Sequence, residues 1–500
     1  MGGDAKIEGS ETLGLAERVK GAVLWRSGSQ IVAQLITWTA TFLVIRLLEP
    51  EDYGLFAMTQ VVLTFLGLMN GYGFANALVR SESVDRQKIA QAFGMLILLN
   101  GSLAILQLLM APFAAAYFRQ PLVADLLRVQ AILYLFTPFI ALPSALLSRE
   151  IDFRRQAKVD LFASICSAGT ALLCARAGYG VWTLVAASLV LFGTRAILLT
   201  VVGRSLVWPS FRFKGAGAMF SYGGAMIAVQ FFWFLQSQSD VFIAGRVLAP
   251  HDLGLYTTAL FLTTILSAKF IPPINDVAFA AYSRMQEKPE AVASAFVKTV
   301  RLIMLIVLPF YLGLAATAEP VVLTALGPKW VETVPLVRIM ALAMPFMTLQ
   351  ILFSPATNAI GRSGIALRVA VSGAVLLPVS FLIGIQLGTT GMAIAWLIAF
   401  PLLSGVTAAL SLPAIGVRAP ALLRAITPGL LASAGMVLPV LMLDSALPPM
   451  APVARLAILV LTGAATYFAL LLLFARRLVE EVIDLVRKPP AVPGEASQTA

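Results

Sequence analysis

Arg46-Leu-Leu-Glu-Pro-Glu-Asp-Tyr-Gly-Leu-Phe56 returns two hundred positions later as Arg246-Val-Leu-Ala-Pro-His-Asp-Leu-Gly-Leu-Tyr256. Arg, Leu, Pro, Asp, Gly and Leu recur at matching places, and at the same offset Gln30 matches Gln230 and Phe42 matches Phe242. The repeat therefore takes in the apolar segment before each motif as well as the turn, and it predicts a chain built by duplication. Within each turn, proline cannot continue the preceding helix, the aspartate can cap the next one, and glycine tolerates a tight approach. Pro50, Asp52, Gly54, Pro250, Asp252 and Gly254 are accordingly read as a structural turn.

The solvent of this chain is lipid. Of its 500 residues, 59% are hydrophobic and 12% charged, with a mean hydropathy of +0.89, more apolar surface than a soluble domain can bury. Each charge-free run, such as Ile89–Phe118 or Val369–Val417, holds one or two spans, a span needing roughly 20 apolar residues. The net charge of +11 falls in short loops between these runs and reads as a topology signal, with no nucleic-acid partner implied. Met1 to Lys20 is polar and the first apolar segment is of full span length, so no cleavable signal peptide is expected. Cys166 and Cys174 are eight residues apart in one apolar segment, roughly 12 Å along a helix, too far to bridge each other.

Loop signals predict an all-α polytopic protein with about fourteen spans, near 22–46, 54–77, 89–117, 122–147, 159–177, 181–203, 219–246, 254–275, 294–318, 331–358, 366–386, 391–411, 420–443 and 451–474. Alternate loops carry clusters such as Arg149, Arg154, Arg155 and Lys158 or Arg204, Arg212 and Lys214. The positive-inside rule then puts both termini in the cytoplasm. Leu126-Leu-Arg128-Val-Gln-Ala131 resembles Leu336-Val-Arg338-Ile-Met-Ala341, and Pro143 to Arg149 more weakly resembles Pro355 to Arg362. Each repeat holds six spans, an even number, so the halves share one orientation and are expected to be related by a pseudo-two-fold along the membrane normal, with a cavity between them. The expected organisation is an N-terminal tail over 1–20, an N-lobe over 21–205, a C-lobe over 219–411, two added spans over 420–474, and a cytoplasmic tail over 475–500. Leu13 to Leu24 and Arg476 to Lys488 read as interfacial amphipathic helices or frayed solvated ends, and Pro489 to Ala500 as disordered.

Ionisable groups inside spans carry the functional signal, because a charge near the bilayer centre costs at least ~2.5 kcal/mol and must face a cavity or a partner. Arg26, Arg195, Lys269 and Arg301 qualify, against Asp240 as the one acid clearly within a span. Arg26, Lys269 and Arg301 also fit snorkelling to headgroups, and Arg195 also fits pairing with Asp240 or with backbone carbonyls. Arg128 and Arg338 lie near the outer ends of their spans and read as interfacial or structural. Gln30, Gln34 and Thr37 share roughly one face of the first span, and Gln230, Gln236, Ser237, Gln238, Ser239 and Asp240 make the seventh unusually polar. Both helices are expected to line a cavity or to bond neighbouring helices. The excess of bases predicts an electropositive cavity suited to phosphate. One histidine, no cysteine pair with metal spacing and no nucleotide-binding glycine motif leave no catalytic or cofactor signal.

From Trp25 through the first turn to Arg80, and again at Ser148-Arg149-Glu-Ile-Asp-Phe153-Arg154, the chain resembles the polysaccharide-transporter branch of the multidrug/oligosaccharidyl-lipid/polysaccharide flippase superfamily, of the colanic-acid or teichuronic-acid exporter type. The resemblance covers about residues 20 to 415. It implies translocation of undecaprenyl-pyrophosphate-linked oligosaccharide across the bacterial inner membrane by alternating access, for exopolysaccharide, capsule or O-antigen biosynthesis, alongside polymerase and export machinery. It further implies a pyrophosphate site at Arg26, Arg195, Lys269 and Arg301. The polar residues Gln30, Gln34, Gln230 and Gln236 are then expected to face sugar, and Asp240 to couple an ion or to pair with Arg195. The rival readings are a cation or drug antiporter, which needs unpaired carboxylates, and a glycan polymerase or ligase, which needs catalytic outward loops.

Overall fold

The computed structural model describes residues 32–70, 85–150, 152–203, 207–211, 217–476, 478 and 480, with the backbone alone for 217–229. Arg26, Gln30 and the 13–24 segment lie outside the described residues, as does nearly all of the C-terminal tail.

All the regular structure among the described residues is helical, in the order expected for fourteen spans. The first seven are α1 (Val32–Leu47), α2 (Pro50–Gly67), α3 (Arg86–Phe118), the collinear pair α4 (Pro121–Gln130) and α5 (Ile132–Arg149), α6 (Phe153–Arg176), α7 (Trp182–Val202) and α8 (Gly217–Val247). The remainder are α9 (Pro250–Arg284), α10 (Pro289–Ala316), the short α11 (Ala318–Ala325), then α12 (Val334–Ala359) after a 3-10 turn, α13 (Ser363–Gly384), α14 (Gly388–Ile415), α15 (Ala419–Ala446) and α16 (Pro452–Phe474). Ten segments are long and apolar enough to cross a membrane, and one of them, Ser363–Ile415, contains both α13 and α14. The boundaries follow from local chemistry. Proline opens α2, α4, α10 and α16, where its missing N–H costs nothing. Left-handed residues close two others, Arg119 after α3 at φ 57° and Gly416 after α14 at φ 82°. Prolines lie inside several helices, such as Pro112, Pro309 and Pro401, which membrane helices tolerate better than soluble ones.

The helices cluster into two compact units, Met1–Gly254 and Leu255–Ala500. In the first, Phe93 and Leu96 of α3 pack on Leu142 of α5. Ile140 and Leu147 of α5 then meet Val159 of α6 and Leu199 of α7. Val44 of α1 and Leu48, just past its end, lie against Ala171 and Ala175 of α6. Polar atoms join helices by bonding backbone: Gln107 Nε2 donates to the Leu127 carbonyl at 2.7 Å and Asn100 Nδ2 to that of Asn70 at 3.0 Å.

In the second unit a buried hydroxyl triad links three helices, with Ser267 Oγ 2.6 Å from Tyr311 Oη and 2.8 Å from Thr348 Oγ1. Trp396 Nε1 donates to Tyr256 Oη at 2.7 Å. A Cβ at Gly384 would strike the Gly391 carbonyl and one at Gly391 the Gly384 carbonyl, so α13 and α14 approach closely there. The two added spans, α15 and α16, are fastened to this unit. Tyr467 Oη donates to the Leu305 carbonyl at 2.7 Å. At the far end Arg455 lies 2.7 Å from Asp444 and 3.8 Å from Glu319. Large apolar side chains such as Phe113 and Leu473 stay exposed, as lipid-facing surface requires.

Candidate functional site

The repeated turns meet each other. Both lie in the first unit, which takes in the first turn of α9 through Gly254. A Cβ at Gly54 would overlap the Pro250 carbonyl, and a Cβ at Gly254 would overlap the Pro50 carbonyl. The contact is reciprocal, so the two copies of the motif form a local two-fold whose closest points are glycine and the carbonyl of the partner's proline. Asp52, at the third position of α2, reaches back, its Oδ2 accepting the Glu49 N–H at 3.0 Å to close a capping box. Asp252 lies 3.5 Å from His251 Nδ1. Arg246 donates to the Ala116 carbonyl at 3.2 Å and to that of Tyr117, capping the C-terminal end of α3. Its guanidinium also sits 5.2 Å from the centre of the Tyr117 ring, which stacks on Phe242 at 4.5 Å. A positive side chain at a helix C-terminus satisfies carbonyls that have no partner within the helix and complements the dipole.

A cavity of about 240 Å³ lies among α1, α2, α6 and α7, lined by Thr37, Tyr53, Ser164, Ser188 and Leu191 among others. Its hydroxyls are turned partly inward on their own helices: Thr37 Oγ1 donates to the Ala33 carbonyl and Ser164 Oγ to that of Asp160, each at 2.8 Å. One helical turn beyond Ser164 and Leu191 stand Asp160 and Arg195, joined Nε to Oδ1 at 2.9 Å. The partner of Arg195 is thus neither Asp240 nor a run of backbone carbonyls, and Asp160 is a second carboxylate within a span helix. In the sequence Asp160 is the second residue of the predicted span 159–177, directly after Arg154, Arg155 and Lys158, where it reads as the edge of the basic loop. Both side chains keep about a third of their surface exposed, 29% for Arg195 and 37% for Asp160.

The other expected site residues are spread over both units. Gln34 is half-buried on α1. On α8, Gln230 is exposed, Gln236 Nε2 donates to the Phe232 carbonyl of its own helix at 3.4 Å, and Asp240 is 1% exposed. Lys269 is exposed on α9 and Arg301 half-buried on α10, both in the second unit. The structure therefore brings together Arg195 with Asp160, and the two turns with each other.

Among the described residues, ten helical segments long and apolar enough to cross a membrane, grouped in two units, define a multi-pass membrane protein. The sequence matches the family described as "Polysaccharide biosynthesis protein" over residues 43–335. The chain belongs to that family. It is 22% identical over 390 residues to the teichuronic acid biosynthesis protein TuaB of Bacillus subtilis (strain 168), covering 77% of this chain and 80% of that one. With the succinoglycan biosynthesis transport protein ExoT of Rhizobium meliloti (strain 1021) it shares 25% identity, over 71% of this chain and 72% of the other. In fold it is similar to the lipid II flippase MurJ in an inward closed conformation, with a TM-score of 0.76 at 14% identity over 91% of this chain and 100% of that one.

Proposed function

We propose that this protein moves undecaprenyl-pyrophosphate-linked oligosaccharide units from the inner to the outer leaflet of a bacterial cytoplasmic membrane, by alternating access, for surface polysaccharide synthesis. The observation that carries this reading is family membership across more than half of the chain, joined to a relative whose name is that of a polysaccharide transport protein. The similarity of fold to a lipid II flippase supports it, because the same architecture serves lipid II in that protein.

In this reading both termini are cytoplasmic and the halves, 21–205 and 219–411, alternate between two states that need differ by only a few kcal/mol. Arg26, Arg195, Lys269 and Arg301 take the pyrophosphate. Guanidinium groups suit it because their planar donors match phosphate oxygens in pairs. Arg195 is held by Asp160 at rest, so a bound phosphate competes with that carboxylate and the pair acts as a release device. Gln30, Gln34, Gln230 and Gln236 contact sugars, and Asp240 couples an ion or steadies the seventh span. No covalent bond is made or broken, so the reading assigns no catalytic residue and no cofactor. Polymerase and export machinery receive the product.

The test replaces the chromosomal copy with Arg195→Gln, Lys269→Gln and Arg301→Gln together, at matched protein level. The expected result is loss of surface polysaccharide with lipid-linked repeat units retained on the cytoplasmic face. Normal export would overturn the site, and loss of export without retained lipid-linked units would overturn the function.

A further inference from the structure

Arg338 differs from its repeat counterpart in one respect that bears on ligand binding. In the first copy Arg128 is held by Asp125, three residues before it, Nη1 to Oδ1 at 2.7 Å. In the second copy Pro335 stands where Asp125 does, so the same helical face offers Arg338 no carboxylate. None of the ion pairs among the described residues includes Arg338, whose side chain is exposed. An arginine that keeps the repeat position but has lost its acid is available for another anion.

The surroundings say which anion. Arg338 is the one charged residue lining a groove of about 560 Å³ in the second unit, within the range of roughly 300–1,000 Å³ typical of ligand clefts. Both α12 and α15 pack on α10, and the groove lies between them. Leu312 and Ala315 come from α10, Ile339 and Leu342 from α12, and Val437 and Leu441 from α15. Arg338 stands four positions after the first residue of α12, a rise of about 6 Å, so its guanidinium lies near that end of the helix. Between Leu441 and Ala434 the wall descends about 10 Å along α15 toward the hydrocarbon. Hydrocarbon tails are as apolar as leucine, so the groove alone discriminates little among lipids. Selection rests on what the guanidinium meets, and a phosphate is its planar match.

We propose that this groove binds an anionic phospholipid, with one acyl chain lying between α12 and α15 and the phosphate on Arg338. The site is separate from the transport reading and goes beyond it, since it concerns a resident lipid and no transported one. It places a lipid on the seam between the second repeat and the added helices, where Arg455 and Tyr467 already join them.

The experiment is thermal unfolding of the purified full-length protein in detergent, titrated separately with phosphatidylglycerol and with phosphatidylcholine of the same acyl chains. A ligand that prefers the native state raises the apparent stability by mass action. The wild type is expected to respond more strongly to phosphatidylglycerol. Arg338→Gln should abolish that preference by weakening phosphatidylglycerol about fivefold, the usual effect of one basic group beside an anionic lipid. Arg338→Lys should retain most of the preference, and Arg128→Gln should leave it intact. Ala434→Trp, which fills the groove wall, should reduce the response to both lipids, which keeps the proposal open to disproof if Arg338→Gln fails to fold. A preference that survives Arg338→Gln, or that Arg128→Gln abolishes, would overturn the proposal. So would displacement of phosphatidylglycerol by undecaprenyl pyrophosphate with the same dependence on Arg338, which would reassign the groove to the transported lipid.

Discussion

The turn at 46–56 and the turn at 246–256 share a sequence pattern but not the residue that completes a capping box. Asp52 closes a capping box with Glu49. The second copy has Ala249 in place of Glu49, and alanine has no side chain with which to complete a reciprocal box. What the copies keep in common is Gly54 against the Pro250 carbonyl and Gly254 against that of Pro50. The glycine contact is thus the property the two copies share, whereas the capping box belongs to the first.

The largest effect should come from the glycines. Gly54→Val and Gly254→Val each drive a side chain into backbone, which cannot rotate away, so each should cost about 3 kcal/mol or more, the upper end of overpacking losses. Thermal unfolding in detergent should show near-equal losses for the two singles and a double mutant well short of their sum, because both changes open the same contact. Losses that add in full would break the reciprocity.

Next is Arg246→Gln, which removes a charged donor from the Ala116 and Tyr117 carbonyls and should cost about 1.5–3 kcal/mol. A Phe242→Ala change would add only if the stacked ring and the guanidinium act separately on Tyr117, which a double-mutant cycle reads directly. The smallest effect separates the two caps. Asp52→Ala should cost about 1 kcal/mol. Asp252→Ala should cost a few tenths, its one contact being the exposed His251 pair. Equal losses for the two would mean that the second turn caps its helix as the first does.

Much of the fold was legible because its signals are local. Proline at helix starts, charge-free runs of span length and basic loops locate the helices without tertiary information, and the Arg-Pro-Asp-Gly pattern reveals the duplication. What stayed hidden depends on residues distant in sequence. Gly54 announces a tight approach but not that Pro250 is its partner. Asp160 stands at the very start of the predicted span 159–177, beside the basic loop, and nothing local points to Arg195 of the next helix as its partner. The groove at Arg338 arises where α12 and α15 both lean on α10, a packing outcome across more than a hundred residues. Loss of the Asp125 equivalent at Pro335 was visible in the repeat alignment, but its meaning needed the groove.

The most direct test of the central claim is thermal stability of the purified protein titrated with undecaprenyl-pyrophosphoryl oligosaccharide and, separately, with lipophilic cations. A lipid-linked glycan flippase is expected to be stabilised by the pyrophosphoryl lipid, with the shift lost when Arg195, Lys269 and Arg301 are neutralised together. Stabilisation by the cations alone would contradict that account and make the chain a cation exporter on the same fold.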